Sequence, residues 1–135
     1  MKISWIWVPL FSVGPFCFGE TISQYENGYQ LKLVSRDSEG ITGWDAYEIT
    51  GYDDAQIYSE NRKIVSVACY KEFYYKGVNL IGKNLKEVCN LLKLSPDEYG
   101  EIIYINESPQ VPVEFDSVDL QLWCFNEIVV SVFCG

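Results

Sequence analysis

The sequence predicts an α+β fold: an antiparallel sheet of about six strands with helices on one face, built from two tandem helix-plus-meander repeats. Three observations predict it. One segment recurs at a fixed offset, apolar residues alternate with a period of two over much of the chain, and one stretch carries helical spacing.

The repeat comes first. "DAQIYSENRKIVSVACY" (54–70) aligns without a gap on "DLQLWCFNEIVVSVFCG" (119–135) at an offset of 65. Asp54, Gln56, Asn61, Val65, Ser66, Val67 and Cys69 match Asp119, Gln121, Asn126, Val130, Ser131, Val132 and Cys134. Upstream, "VGPFCFGETISQY" (13–25) lies over "KGVNLIGKNLKEV" (76–88) at an offset of 63, with Gly14 and Gly19 on Gly77 and Gly82. "AYEIT" (46–50) resembles "PVEFD" (112–116). At 135 residues the chain reads as a single domain, 1–135, holding two copies of one unit, approximately 13–70 and 76–135, joined by "KEFYY".

The first element is "SWIWVPLFSVGPFCFGE" (4–20), apolar enough to pose as a secretory signal. The repeat argues otherwise, because its second copy sits in mid-chain and must be structure. Two Trp and two Pro interrupt the apolar run, and no small-residue cleavage site follows. Phe16, Phe18 and Ile22 are therefore expected in the core.

"NLKEVCNLLKL" (84–94) reads as a helix. Asn84 suits the N-cap with Glu87 three positions on, Leu85, Val88, Leu91 and Leu92 share a face, and Pro96 stops the run. "TISQYENGY" (21–29) is its expected shorter counterpart, with Thr21 as N-cap and Gly28 near its end.

The remaining segments alternate as half-buried strands. Ala55, Ile57 and Ser59 share a face, as do Leu120, Leu122 and Cys124. In the closing strands Val65, Val67 and Cys69, with Val130, Val132 and Cys134, are assigned to that same face. Asn61-Arg62 and Asn126-Glu127 sit where hairpins turn.

Helices can cover only one side of such a sheet. The small and aliphatic set suits that side, leaving Glu48, Gln56, Tyr58, Glu60, Glu114, Asp116, Gln121, Trp123, Phe125 and Phe133 on the other. Aromatics mixed with acids on an open sheet are what a protein-binding surface looks like. The expected partner-binding residues are Tyr58, Trp123 and Phe125 as anchors, with Glu48, Glu60, Glu114, Asp116 and Asp119 around them. The acidic 97–107 loop is the alternative interface.

Charge agrees with that reading. The net charge is −9, but residues 1–93 carry only −1 of it. From Leu94 onward there are eight acids and no Lys or Arg. A field confined to one end steers a basic partner, and it opposes nucleic acid. No apolar run after residue 20 approaches the roughly 20 residues of a membrane-spanning helix, so no membrane partner is expected.

Catalysis finds little support. The chain has no His, which removes Ser-His and Cys-His nucleophiles and ordinary zinc sites. Gly77 and Gly82 enclose "VNLI", too apolar to cradle phosphate. The adjacent acids Asp53-Asp54 and Asp97-Glu98 read as solvated turn residues, and "DSEG" (37–40) and "DEYG" (97–100) lack calcium-loop spacing. Five Cys without a CxxC pair suit neither a disulfide framework nor a metal site, and read as free thiols in a reducing cytoplasm. The expectation is a non-enzyme with no cofactor and no metal.

"GVNLIG" before a helix, and the closing "LQLW" to "IVVSV" hairpin, resemble immunity proteins of bacterial contact-dependent growth inhibition and related polymorphic toxin systems. The tandem helix-plus-meander plan is similar to the β-lactamase inhibitory protein architecture, which binds its enzyme on an open sheet face. The first resemblance implies a cytoplasmic protein that binds a cognate toxin domain, in many cases a nuclease, and blocks its active or substrate-binding surface. The alternative reading is an envelope-associated inhibitor or assembly protein whose opening stretch is cleaved.

Overall fold

The computed structural model describes residues 2–36 and 43–135. Three two-residue strands open the chain: β1 (Trp7–Val8), β2 (Ser12–Val13) and β3 (Phe16–Cys17). The short helix α1 (Ser23–Glu26) then leads into β4 (Leu31–Arg36), β5 (Asp45–Ile49), β6 (Ala55–Glu60) and β7 (Lys63–Cys69). The second half runs β8 (Tyr74–Tyr75), β9 (Val78–Asn79), α2 (Leu85–Leu92), β10 (Glu98–Tyr99), β11 (Ile103–Ile105), β12 (Ser108–Phe115), β13 (Leu120–Phe125) and β14 (Ile128–Cys134). A 3₁₀ turn, Asp116–Val118, joins β12 to β13.

One antiparallel sheet of nine strands organises the molecule, in the order β10-β12-β13-β14-β7-β6-β5-β4, with β11 also paired to β12. It corrects the expected six-stranded sheet with helices on one face. Two segments without an assigned role are strands: "LKLVSR" is β4, and "EY" with "IYI" forms β10 and β11 on the opposite edge. Helix is correspondingly scarce. Thr21 does not cap α1: the N-cap is Ile22 with no side-chain hydrogen bond, while Thr21 bridges to Lys63 and the helix lasts four residues. A single turn without a cap has little stability of its own. α2 forms as its spacing requires. The Asn84 side chain accepts from Lys86 N at 2.8 Å, and Leu85 and Val88 are buried. The helix ends at Lys93 in the left-handed conformation, before Pro96 is reached.

The two copies pair identically. Ile57 lies opposite Val67 and Leu122 opposite Val132; Tyr58 opposite Ser66 and Trp123 opposite Ser131. Both hairpins shift register after the same residue, between Tyr58 and Ser59 and between Trp123 and Cys124. Both turn through paired left-handed residues, Asn61-Arg62 and Asn126-Glu127, with φ of 52°, 66°, 49° and 65°. Such turns match the right-handed twist of the strands they join. At the centre β7 meets β14 with Cys69 opposite Val132, Ala68 opposite Phe133 and Val67 opposite Cys134. Exchanging each residue for its equivalent 65 positions away leaves this register unchanged, so a pseudo-twofold axis passes between Ala68 and Phe133. The register shift also corrects a face assignment. Ile64 and Val129 take the core positions, and Val65 and Val130, the extra residues of the bulges, are only half-buried.

One sheet face packs on a layer that is mostly not helix. Ile57, Val67, Leu122, Val132, Phe115 and Leu120 lie beneath Trp5, Trp7, Val13, Phe16, Ile22, Phe73, Leu80 and Val88, all at most 3% exposed. Trp5 stacks on Phe16 with ring centroids 6.0 Å apart, and Trp7 meets Phe73 at 5.3 Å. Phe18 is half-buried against the cluster. Each large side chain fully removed from water contributes roughly 1.5–3 kcal/mol, so the opening stretch is a principal part of the core. Repeated backbone bonds fasten this layer to the hairpins. Gly19 N donates to Ile64 O and Gly82 N to Val129 O, at 2.8 and 2.7 Å; Ile22 N donates to Arg62 O and Leu85 N to Glu127 O, at 2.8 and 2.7 Å.

Candidate functional site

The other sheet face has no covering layer among the described residues, and its side chains follow from strand alternation. β5 and β6 present Glu48, Gln56 and Tyr58; β12 and β13 present Glu114, Gln121 and Trp123. The two sets bond in the same way. Tyr58 Oη donates to Gln56 Oε1 at 2.8 Å, and Gln56 Nε2 donates to Glu48 Oε1 at 3.3 Å. In the second copy Trp123 Nε1 donates to Gln121 Oε1 at 2.8 Å, and Gln121 Nε2 donates to Glu114 Oε1. A glutamine amide has an acceptor and a donor end, so it links one aromatic donor to one carboxylate. Phenol and indole are each single donors there, which explains why Tyr and Trp stand at equivalent positions.

Between the ladders lies an aromatic cluster. Phe133 stacks on Tyr58 at 6.4 Å and 26°, and meets Tyr70 edge-on at 6.3 Å and 78°. Trp44 lies 6.1 Å from Tyr58, and its Nε1 donates to Glu60 Oε2 at 2.8 Å. Burial pushes the Tyr58 and Tyr70 phenols up, so both stay protonated donors near neutral pH.

Beside this cluster the surface sinks into a pocket of about 330 Å³, lined by Trp44, Ser66, Glu114, Asp116, Asp119, Gln121 and Phe133 among others. The 3₁₀ turn places Asp116 and Asp119. Asp116 N donates to Asp97 Oδ2 at 2.7 Å, and Asp119, with φ of 49°, donates its N–H back to Asp116 O. No Lys or Arg forms an ion pair with Glu114, Asp116 or Asp119 among the described residues.

Of the eight residues expected at the interface, Glu48, Tyr58, Glu114 and Trp123 lie in the two ladders, and Asp116 and Asp119 border the pocket. Glu60 holds the indole of Trp44. Phe125 is 38% exposed at the far end of β13, away from the pocket. Trp44 and Tyr70 carry the cluster but were not among those eight, and neither was Phe133. Phe133 was legible as an outward position in the alternation, and Tyr70 has the parity opposite to Val67 and Cys69; Trp44 precedes β5 in a stretch with no period.

No protein-family model matches the chain, and comparison with curated proteins and with solved structures returned no significant match. The functional reading therefore rests on geometry. Among the described residues no group of His, Cys, Asp and Glu converges to hold a metal, and no helix is long and apolar enough to cross a membrane. "DSEG" (37–40) lies outside the described residues. All five cysteines are free, with Cys69, Cys124 and Cys134 buried.

Proposed function

We propose that this protein is an immunity protein: it binds a cognate bacterial toxin domain in the cytoplasm and neutralises it by covering the active or substrate-binding surface, with no chemistry of its own. The observation that carries the reading is the open sheet face, where Tyr58, Trp123, Phe133 and Trp44 are interleaved with Glu48, Glu60 and Glu114. Ladder bonds hold these side chains before any partner arrives, which lowers the ordering cost of binding. Aromatic anchors ringed by acids suit a basic partner such as a nuclease, whose own substrate is anionic. The edge at 97–107 offers exposed Tyr99, Ile103 and Tyr104, but lacks the fixed polar frame of the ladders.

The test is protection in cells. A cognate toxin domain, sought among the genes neighbouring this one, should arrest growth when expressed, and co-expression of this chain should restore it. Arrest that persists with the protein folded and abundant would refute the reading.

A further inference from the structure

We propose that the pocket bounded by Trp44, Phe133, Glu114, Asp116 and Asp119 is a receptor for a single arginine side chain. The inference rests on reading the open face as a protein-binding surface, and supplies the group that its partner inserts. Three features define the occupant. The walls combine aromatic side chains, Trp44 and Phe133 among them, with three carboxylates that no Lys or Arg neutralises among the described residues. The volume of about 330 Å³ lies at the small end of ligand pockets, which run roughly 300–1,000 Å³, so it takes one long side chain. The walls are also held in place. Trp44 is bonded to Glu60, Glu114 to Gln121, the Asp116 backbone to Asp97, and Phe133 is packed between Tyr58 and Tyr70.

Guanidinium answers this lining better than other cations. It is planar and weakly hydrated, stacks on aromatic rings, and spreads five donors over more than one carboxylate. A compact, strongly hydrated ammonium gains less from the rings. A bare metal ion needs converging ligands that the described residues do not provide.

The probe is N-acetyl-arginine methylamide, titrated at millimolar concentration into the full chain and followed by two-dimensional amide NMR. The expected result is saturable shifts of the Trp44 indole N–H and of the Asp119, Phe133 and Gly135 amides. The matching citrulline derivative, equal in shape but uncharged, should bind at least tenfold more weakly. E114Q combined with D119N should weaken arginine binding at least threefold. The first keeps an acceptor for Gln121 and the second suits a left-handed backbone, so both should fold; the citrulline comparison stands even if they do not. Equal response to citrulline, tighter binding of the lysine analogue, or no saturable shift would overturn the assignment. If toxin binding survives any of these failures, the pocket is wrong and the face is not. If arginine is captured but no toxin is bound, the reverse holds.

Discussion

Ala68 and Phe133 are equivalent residues of the two copies and lie directly opposite each other where β7 meets β14. A pseudo-twofold axis passes between them, so two identical side chains there would compete for the same space. The pair is small against large instead. Phe133 leans over the site that Ala68 leaves open and reaches Tyr58 and Tyr70 of the first copy. A single residue of the second copy thus completes the aromatic cluster of the first, and the symmetry of the sheet is broken at its outer face.

Placing a second phenylalanine at the axis should show this. Ala68→Phe is expected to destabilise the protein by about 1–3 kcal/mol through overpacking. Adding Phe133→Ala, which exchanges the two sites, should recover most of the loss. Denaturant unfolding of the two singles and the double gives the coupling, and strict additivity would contradict the shared space.

Ser59 is the counterpart of Cys124; the residue is 1% exposed in the core, and its hydroxyl has no hydrogen-bond partner among the described residues. A buried, unpaired hydroxyl costs on the order of 1–3 kcal/mol. Ser59→Ala should therefore raise stability, by about 1 kcal/mol once the lost packing is counted. A fall in the denaturation midpoint would refute this.

The buried thiols set a limit on alkaline stability. Burial pushes Cys124 up to about 11, and Cys69 and Cys134 upward as well. A raised native pKa favours the protonated form, so the stabilisation is complete below the unfolded thiol value of about 8.5. It is lost as pH rises through the native values. Stability should hold to about pH 8.5 and decline from there past about pH 11, read as urea midpoints against pH. At about pH 8, below the ordinary thiol value, iodoacetamide should modify the partly exposed Cys17 and Cys89 well before the buried three.

The parts of the fold legible in the sequence are those that short-range chemistry decides. Asn61 and Asn126 announce their turns because left-handed residues are needed there, and Asn84 announces α2 by its cap. The offset of 65 carries the pairing of β6 with β7 and of β13 with β14, and the weaker upstream match assigns Phe16 and Ile22 to the core, where both are fully buried. The outer strands were hidden for opposite reasons. β4 spreads its exposed positions unevenly, and β10 and β11 are split around Gly100, where a Cβ would lie 2.6 Å from Pro112 Cγ. Helix was overestimated because residues 21–29 were matched to α2 through the repeat, yet they are poor in strong helix formers and have no cap to start a helix. The bulges at Val65 and Val130 swapped two faces that simple alternation assigned. On the open face the acids and the ladder aromatics were readable from parity. The pocket was not, since it needs Trp44 of one copy brought beside Asp119 of the other.

Binding of a basic toxin domain to the open face is tested most directly by calorimetric titration of that domain. The titrants are wild type, Trp123→Ala and the double reversal of Glu48 and Glu114 to Lys, with folding checked by circular dichroism. Trp123→Ala should weaken binding by about 2 kcal/mol or more while remaining folded. The double reversal removes charge and both ladder acceptors, so it should slow association and speed dissociation, followed by stopped-flow fluorescence. Added salt should reproduce only the slower association on wild type. Full affinity in both variants would refute binding through the open face and move the interface to the 97–107 edge.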